Sequence, residues 1–292
     1  MPLIRRKVKN TWVDRRLQAL APFIFILIFA APGAADAAPL VSCFGPLASE
    51  GIMGTISDLH SLKLADGTRF ALAEIAFPNQ TVGVAAPASL SALRRLLEYG
   101  NVALYYEPGP AARIDRHGRL LVQAYVADES GGYWLQQRMV SEGAALVDSW
   151  ATNHACAGAL LGAEVAARAA ARGLWADDFN APITAAQASS ARGRFALVEG
   201  RIIRVKKIGT RYYLDFAENW RDAMSGTIDA RAAHSFLAED VDPAALSGAM
   251  VRVRGYVNWR GSAQIAITHR EQVEILDERE HFPLGGGHIG QE

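Results

Sequence analysis

Asp66-Gly67 stands between two stretches in which apolar and polar residues alternate, and this arrangement constrains the fold more than any other local signal. An Asp-Gly pair accepts the positive backbone angles of a tight hairpin turn. Upstream lie Ile52-Met53-Gly54-Thr55-Ile56 and Ser61-Leu62-Lys63-Leu64; downstream the run continues from Arg69 to Ile75. The chain therefore begins as antiparallel β structure with one buried face. Leu90, Leu93, Leu96 and Leu97 then recur at helical spacing, predicting a helix over 87–98 ended by Gly100. Residues 101–106 and 120–126 read as strands, separated by the polar loop 112–118. Residues 134–142 and 158–172 read as helices stopped by Gly143 and Gly173.

Residues 181–193 lack aromatics and a helical or strand period, which reads as a linker. A second pattern follows: strands over 195–205, 211–217 and 224–228, a short helix over 230–238, then strands over 250–259 and 263–268. Five strands with one helix between the third and fourth is the order of an OB-type barrel. Along 251–259 the alternation places Arg252, Arg254, Tyr256 and Asn258 on one face, outward if the valines are core. The last residues, 279–292, are Gly-rich and read as a flexible tail.

Thirty Lys and Arg balance thirty Asp and Glu, and half of the 292 residues are apolar. That composition excludes wholesale disorder and a histone-like basic binder. The balance is uneven along the chain. Six basic residues between Arg5 and Arg16 precede the apolar run 19–31, and Ala35-Asp36-Ala37 has the small residues of a cleavage site. Residues 1–37 therefore read as a secretory leader, the alternative being an uncleaved anchor. They carry a net charge of +4, leaving 24 basic and 28 acidic residues in 38–292. A periplasmic or secreted location, with no stable membrane span after cleavage, is the expectation. In an oxidising compartment the only two cysteines, Cys43 and Cys156, are most simply one disulfide, the alternative being two free thiols.

The first half resembles the thermonuclease (staphylococcal nuclease) family. The resemblance rests on residues 56–64, Asp66-Gly67, the run Leu72-Ala73-Glu74-Ile75-Ala76-Phe77-Pro78, the loop Asp115-Arg116-His117-Gly118-Arg119, and Glu164 to Trp175 (EVAARAAARGLW). It implies a mainly β fold with helices, an α+β arrangement: a five-stranded OB barrel with three helices over 38–180. A second OB-like barrel is expected over 194–278, similar to domains that follow such domains in some exported proteins.

The family's phosphodiester hydrolysis needs a hard cation on carboxylates and arginines bracing the phosphate. Aligned on Leu72, Ile75 and Pro78, this chain has His60, Ala71, Ala76 and Asn79 where the family has an aspartate, an arginine, an aspartate and a glutamate. Alanine neither ligates nor braces, asparagine does not ionise, and imidazole is a poor calcium ligand. Arg119 alone matches a catalytic position, the second phosphate arginine. It can equally serve the fold by clamping carboxylates and carbonyls. Arg116 and His117 match loop positions that touch phosphates in the family.

A second register pairs Arg69 with Glu74, against the reading of both as solvated strand charges. Neither register restores the first-hairpin carboxylate. No HxH, HExxH, GxSxG or P-loop spacing is present, so no metal ligands or cofactor are expected, and Ca²⁺ only if the nuclease reading holds.

These residues lead to three expectations. The first is an exported, non-catalytic binder of nucleic acid, another polyanion or an envelope ligand, through Arg116, His117, Arg119, Arg252, Arg254 and Tyr256. The others are a weak metal-dependent nuclease and an envelope scaffold that binds protein.

Overall fold

Residues that alternate in the sequence alternate in burial. A computed structural model describes residues 42–77, 85–98, 100–127, 131–176 and 180–276. The leader (1–37), Pro78, Asn79 and the Gly-rich tail (279–292) lie outside the described residues.

The first half consists of β1 (Leu47–Ile56), β2 (Leu62–Leu64), β3 (Arg69–Leu72), β4 (Ile75–Ala76), α1 (Ala85–Leu97), β5 (Asn101–Tyr105), β6 (Leu120–Ala127), β7 (Tyr133–Trp134), α2 (Leu135–Ser141), β8 (Leu146–Val147) and α3 (Ala157–Ala169). Strand β1 pairs antiparallel with β2 on one side and β5 on the other. The ladder runs β3-β2-β1-β5-β6, and a parallel pairing of β3 with β6 closes it on itself. Phe70, Val102, Leu104, Val122 and Ala124 fill the interior, and α1 and α2 add Leu93, Leu97, Leu135 and Met139 to the same core. The Asp66-Gly67 turn forms as expected, with Gly67 at φ 96°. The class is mixed, mostly strand with helices.

The expected strand from Arg69 to Ile75 is interrupted. Ala73 and Glu74 form a turn between β3 and β4, with Glu74 at φ 61°. A positive φ is costly for a side chain that is not glycine, so surrounding contacts must hold it. They do: Glu74 is 2% exposed, and its carboxylate accepts the Cys156 backbone N–H at 2.8 Å. Cys156 is also bonded to Cys43, whose Cα lies 5.2 Å away.

The second half consists of β9 (Ile183–Thr184), β10 (Phe195–Arg201), β11 (Arg204–Ile208), β12 (Arg211–Asp215), β13 (Ser225–Ile228), α4 (Ala230–Ala238), β14 (Met250–Tyr256), β15 (Asn258–Trp259), β16 (Ala263–Ile267) and β17 (Val273–Ile275). Its strands form one sheet ordered β17-β14-β10-β9 and another ordered β11-β12-β13-β16-β15. Two residues separate β10 from β11 and one separates β14 from β15, so the chain passes from sheet to sheet at both places. Their shared core contains Val198, Leu214, Ile228, Phe236, Val253 and Ile265.

The segment 181–193 is structured rather than a plain linker. It holds β9 and a 3₁₀ helix, Ala185–Ala191, begun by a capping box between Thr184 and Gln187. Ala185, Ala188 and Ala191 are buried in the second core. A 3₁₀ helix repeats every three residues, so these alanines form one stripe.

The outward face expected for Arg252 and Arg254 is outward from its own barrel yet closed to solvent, because α3 of the first half covers it. Arg254 is 1% exposed. It donates to the Val147 carbonyl at 2.9 Å and to Glu164 at 2.7 Å, and it also pairs with Glu274. Arg252 pairs with Glu199 at 2.5 Å and Glu274 at 2.8 Å. Arg168 bridges Glu164 and Glu274 from the α3 side. Glu164, Arg168 and Trp175 belong to the EVAARAAARGLW motif, and Trp175 joins Leu146, Leu174 and Leu197 in a small core between the halves. Gly173 lets the segment that carries Trp175 close on Gly143 within the first half: a Cβ there would stand 2.4 Å from the Gly143 carbonyl oxygen.

Two measurements test this frame. Replacing Cys43 and Cys156 by serine opens a loop with a sequence separation of 113, which the chain-entropy model values at about 4–5 kcal/mol. Urea denaturation of the double variant should show a loss of that order. Arg254→Leu leaves the buried Glu164 carboxylate with Arg168 as its one cation and takes a donor from the Val147 carbonyl. It should destabilise by the same assay, by less than the loss of about 3–5 kcal/mol that a fully uncompensated buried charge causes.

Candidate functional site

The turns that close the first barrel also build its cleft. Asp58 accepts the His60 backbone N–H at 2.7 Å and the Ser61 hydroxyl at 2.9 Å, tightening the β1–β2 connection. Those contacts, the His60 amide first, hold its carboxyl below the usual range despite some burial. Asp115 plays the same part in the loop before β6. Its Oδ1 accepts the backbone N–H groups of His117 and Arg119 at 2.8 and 3.0 Å, and Gly118 completes the turn at φ 70°. Burial alone would raise the Asp115 carboxyl, but the Arg119 and His117 donors outweigh it and hold it low.

Between these turns lies an open cleft of about 960 Å³, lined on its charged side by Asp58, His60, Lys63, Arg69, Arg116, His117 and Arg119. Arg119 joins the two walls. Its Nη2 lies 2.6 Å from Asp115 and its Nε donates to the same carboxylate at 2.7 Å, while Nη1 donates to the His60 carbonyl. The clamping role that the sequence left open is the one this geometry displays. Burial, and then the Arg119 charge, hold the His60 imidazole below its usual range, so it is neutral at pH 7.

Arg116 and His117 are exposed in the same loop, the Arg116 Nε donating to the His117 ring at 3.1 Å. Lys63 and Arg69 are directly opposite each other across the β2–β3 hairpin. Among the described residues no carboxylate pairs with Lys63, Arg69 or Arg116. Like charges directly opposite in a ladder are unfavourable, so this hairpin tolerates a repulsion that a bound anion would relieve. In the sequence Arg69 reads as half of a catalytic pair or as a solvated strand charge, and Lys63 only as one residue of a strand. The Asp-Gly turn fixes their register, so the signal was present.

The partner expected for Arg69 in the second register is elsewhere. Glu74 faces the core, beside Glu107 and Gln123, whose Nε2 lies 3.5 Å from Glu74 and 3.2 Å from Glu107. Neither that register nor the solvated-charge reading of Glu74 describes it. Burial, and then the Glu107 charge, push its carboxyl up to about 9. Glu107 also accepts the Ala155 N–H at 3.2 Å, so the pair secures the chain on either side of the disulfide.

His154 pairs with Glu271 of the second half at 3.0 Å and stacks on His269. Arg252 and Arg254 are withdrawn from the binding set by their ion pairs. Tyr256 stays half exposed, its ring held edge-on by Phe195 at 5.7 Å.

The described residues of this cleft do not fit a hard cation. Among them Asp58 is the only carboxylate lining it, and its oxygens are engaged by His60 and Ser61. Ala71 and Ala76 offer no donors, and no group of three or more His, Cys, Asp or Glu among the described residues could hold a metal.

Residues 78–177 match the family model described as Staphylococcal nuclease homologue, so the chain carries a staphylococcal-nuclease-type domain over that segment. The match includes Arg116, His117 and Arg119 and begins after the hairpin that carries Lys63 and Arg69. No curated protein matches the chain. Among the described residues no helix is long and apolar enough to cross a membrane.

Glu74 yields a pH prediction. Its carboxyl binds a proton more tightly in the folded state, so the stability it confers is complete below about pH 4.5 and is lost as pH rises towards 9. Glu74→Gln should therefore raise the melting temperature by several degrees at pH 8 and leave it unchanged at pH 4, read by circular dichroism.

Proposed function

We propose that this chain is an exported, non-catalytic binder of nucleic acid or a similar polyanion, and that the cleft beside the Asp66-Gly67 hairpin is its phosphate-binding surface. The carrying observation is the convergence of Lys63, Arg69 and Arg116, without carboxylate partners among the described residues, around one open cleft. Lysine and arginine side chains held this way neutralise successive phosphates and release counterions. Arg119 positions the two loops and leaves Arg116 and His117 exposed at the rim.

The absence of catalysis rests on the substituted positions. His60, Ala71, Ala76 and Asn79 supply neither the carboxylates nor the first of the two arginines that the family's metal-assisted phosphodiester hydrolysis uses. Export is supported by the leader pattern in residues 1–37 and by the Cys43–Cys156 disulfide, which persists in an oxidising compartment.

Fluorescence anisotropy with a labelled single strand at two salt concentrations tests the reading. Affinity should fall with salt, and Arg69→Ala with Arg116→Ala should lower the log–log slope by about 0.7 per residue removed. Salt-insensitive binding, or none below millimolar, would refute it. Calcium-dependent cleavage of the strand that Arg119→Ala abolishes would replace it with a phosphodiesterase reading.

A further inference from the structure

The second half carries exposed aromatic rings that its own core does not use. Tyr256 is 51% exposed and Trp259 45% exposed, on the continuous run of β14 and β15. Arg192 lies over the Trp259 ring at 5.3 Å, held there by a bridge between its backbone and Val257. The hairpin after Trp259 presses against a second indole: a Cβ on Gly261 would stand 3.1 Å from Trp220. Arg221 in turn lies over Trp220 at 4.5 Å. Among the described residues neither Arg192 nor Arg221 pairs with a carboxylate. Arg204 and Lys206 differ, because both are bound to Asp215 at 3.3 and 3.2 Å. Arg192 and Arg221 thus keep unpaired charge against the two tryptophans.

Tyr256 brings this surface within electrostatic reach of the cleft of the first half. The Tyr256 phenol is raised by burial and by the Asp148 charge, and Arg116 acts on it in the opposite direction. Arg116 is therefore close enough to Tyr256 to act on it electrostatically.

We propose that Tyr256, Trp259 and Trp220, with Arg192 and Arg221, extend the cleft across the junction of the halves as a stacking track for a single-stranded nucleic acid. This rests on the polyanion reading of the cleft and adds the ligand class and a second half-site. Every base has a π-face to lay on an exposed ring, and a guanidinium stacked on that ring is placed to meet the adjoining phosphate. A duplex does not fit this chemistry, because its base faces are already stacked on one another. Arg252 and Arg254 take no part.

Intrinsic tryptophan fluorescence of the full chain, titrated with oligothymidylates of about four and about sixteen nucleotides, tests the track over the range of site sizes such barrels use. Tyr256→Ala and Trp259→Ala should each weaken the long strand by about tenfold and leave the short one unchanged. Trp259→Phe should restore most of the loss, which a merely unfolded edge would not do. Equal losses at both lengths, or no loss at either, would overturn the track and leave the cleft standing. If Arg69→Ala and Arg116→Ala change neither affinity while the aromatic variants weaken the long strand, the cleft reading fails and the track remains. If the unaltered chain binds neither strand, both fail.

Discussion

Arg254 is the cation on which the arrangement of the two halves turns. Burying a guanidinium costs several kcal/mol unless geometry and partners restore what water provided. Here Glu164 from α3, Glu274 from β17 and the Val147 carbonyl surround it. Glu164 also accepts the Val147 backbone N–H at 2.9 Å, so one carboxylate ties the first half together while meeting the second. Such a cluster is satisfied only when both halves are in place, which makes it a device of orientation more than of net stability. Coulombic attraction to the two carboxylates and the hydrogen bonds from it hold the Arg254 charge despite its desolvation.

That orientation determines which charges remain for a ligand. The EVAARAAARGLW motif, read as a marker of the first domain, also spends Glu164, Arg168 and Trp175 on the second. Arg254 is consumed by that interface, and Arg252 by Glu199 and Glu274 of its own half. Among the described residues no carboxylate pairs with Lys63, Arg69 and Arg116 around the cleft, or with Arg192 and Arg221 on the tryptophans. The zero net charge conceals this partition, because paired and unpaired cations count alike in a sum.

The second dependence is the turn at Ala73-Glu74. It drives a carboxylate inward, where Glu74 and Glu107 meet the backbone beside the disulfide. A buried acid with a raised proton affinity often marks a catalytic site. Here Glu74 takes a backbone N–H at the disulfide and is absent from the cleft, so it serves the fold. Among the described residues the cleft is left with a single carboxylate, Asp58, already engaged by its own turn, and with Arg116 in the loop that Asp115 and Arg119 hold in place.

Most regular elements were legible in the sequence because they rest on near-neighbour physics. The Asp66-Gly67 turn, the leucines of α1 and the helix Ala230–Ala238 each follow from period, turn chemistry and capping. The 3₁₀ helix at Ala185–Ala191 escaped, because a period of three is neither of the two usually sought. The strand break at Glu74 escaped as well, since a positive φ at glutamate is imposed by distant contacts with Cys156 and Gln123. The sequence by itself determined most of the β–α order and made one disulfide the simplest use of its two cysteines. Only the tertiary structure decided which arginines face solvent. Alternation shows that Arg252 and Arg254 point away from their own core, and it cannot show that a helix some ninety residues earlier covers Arg254.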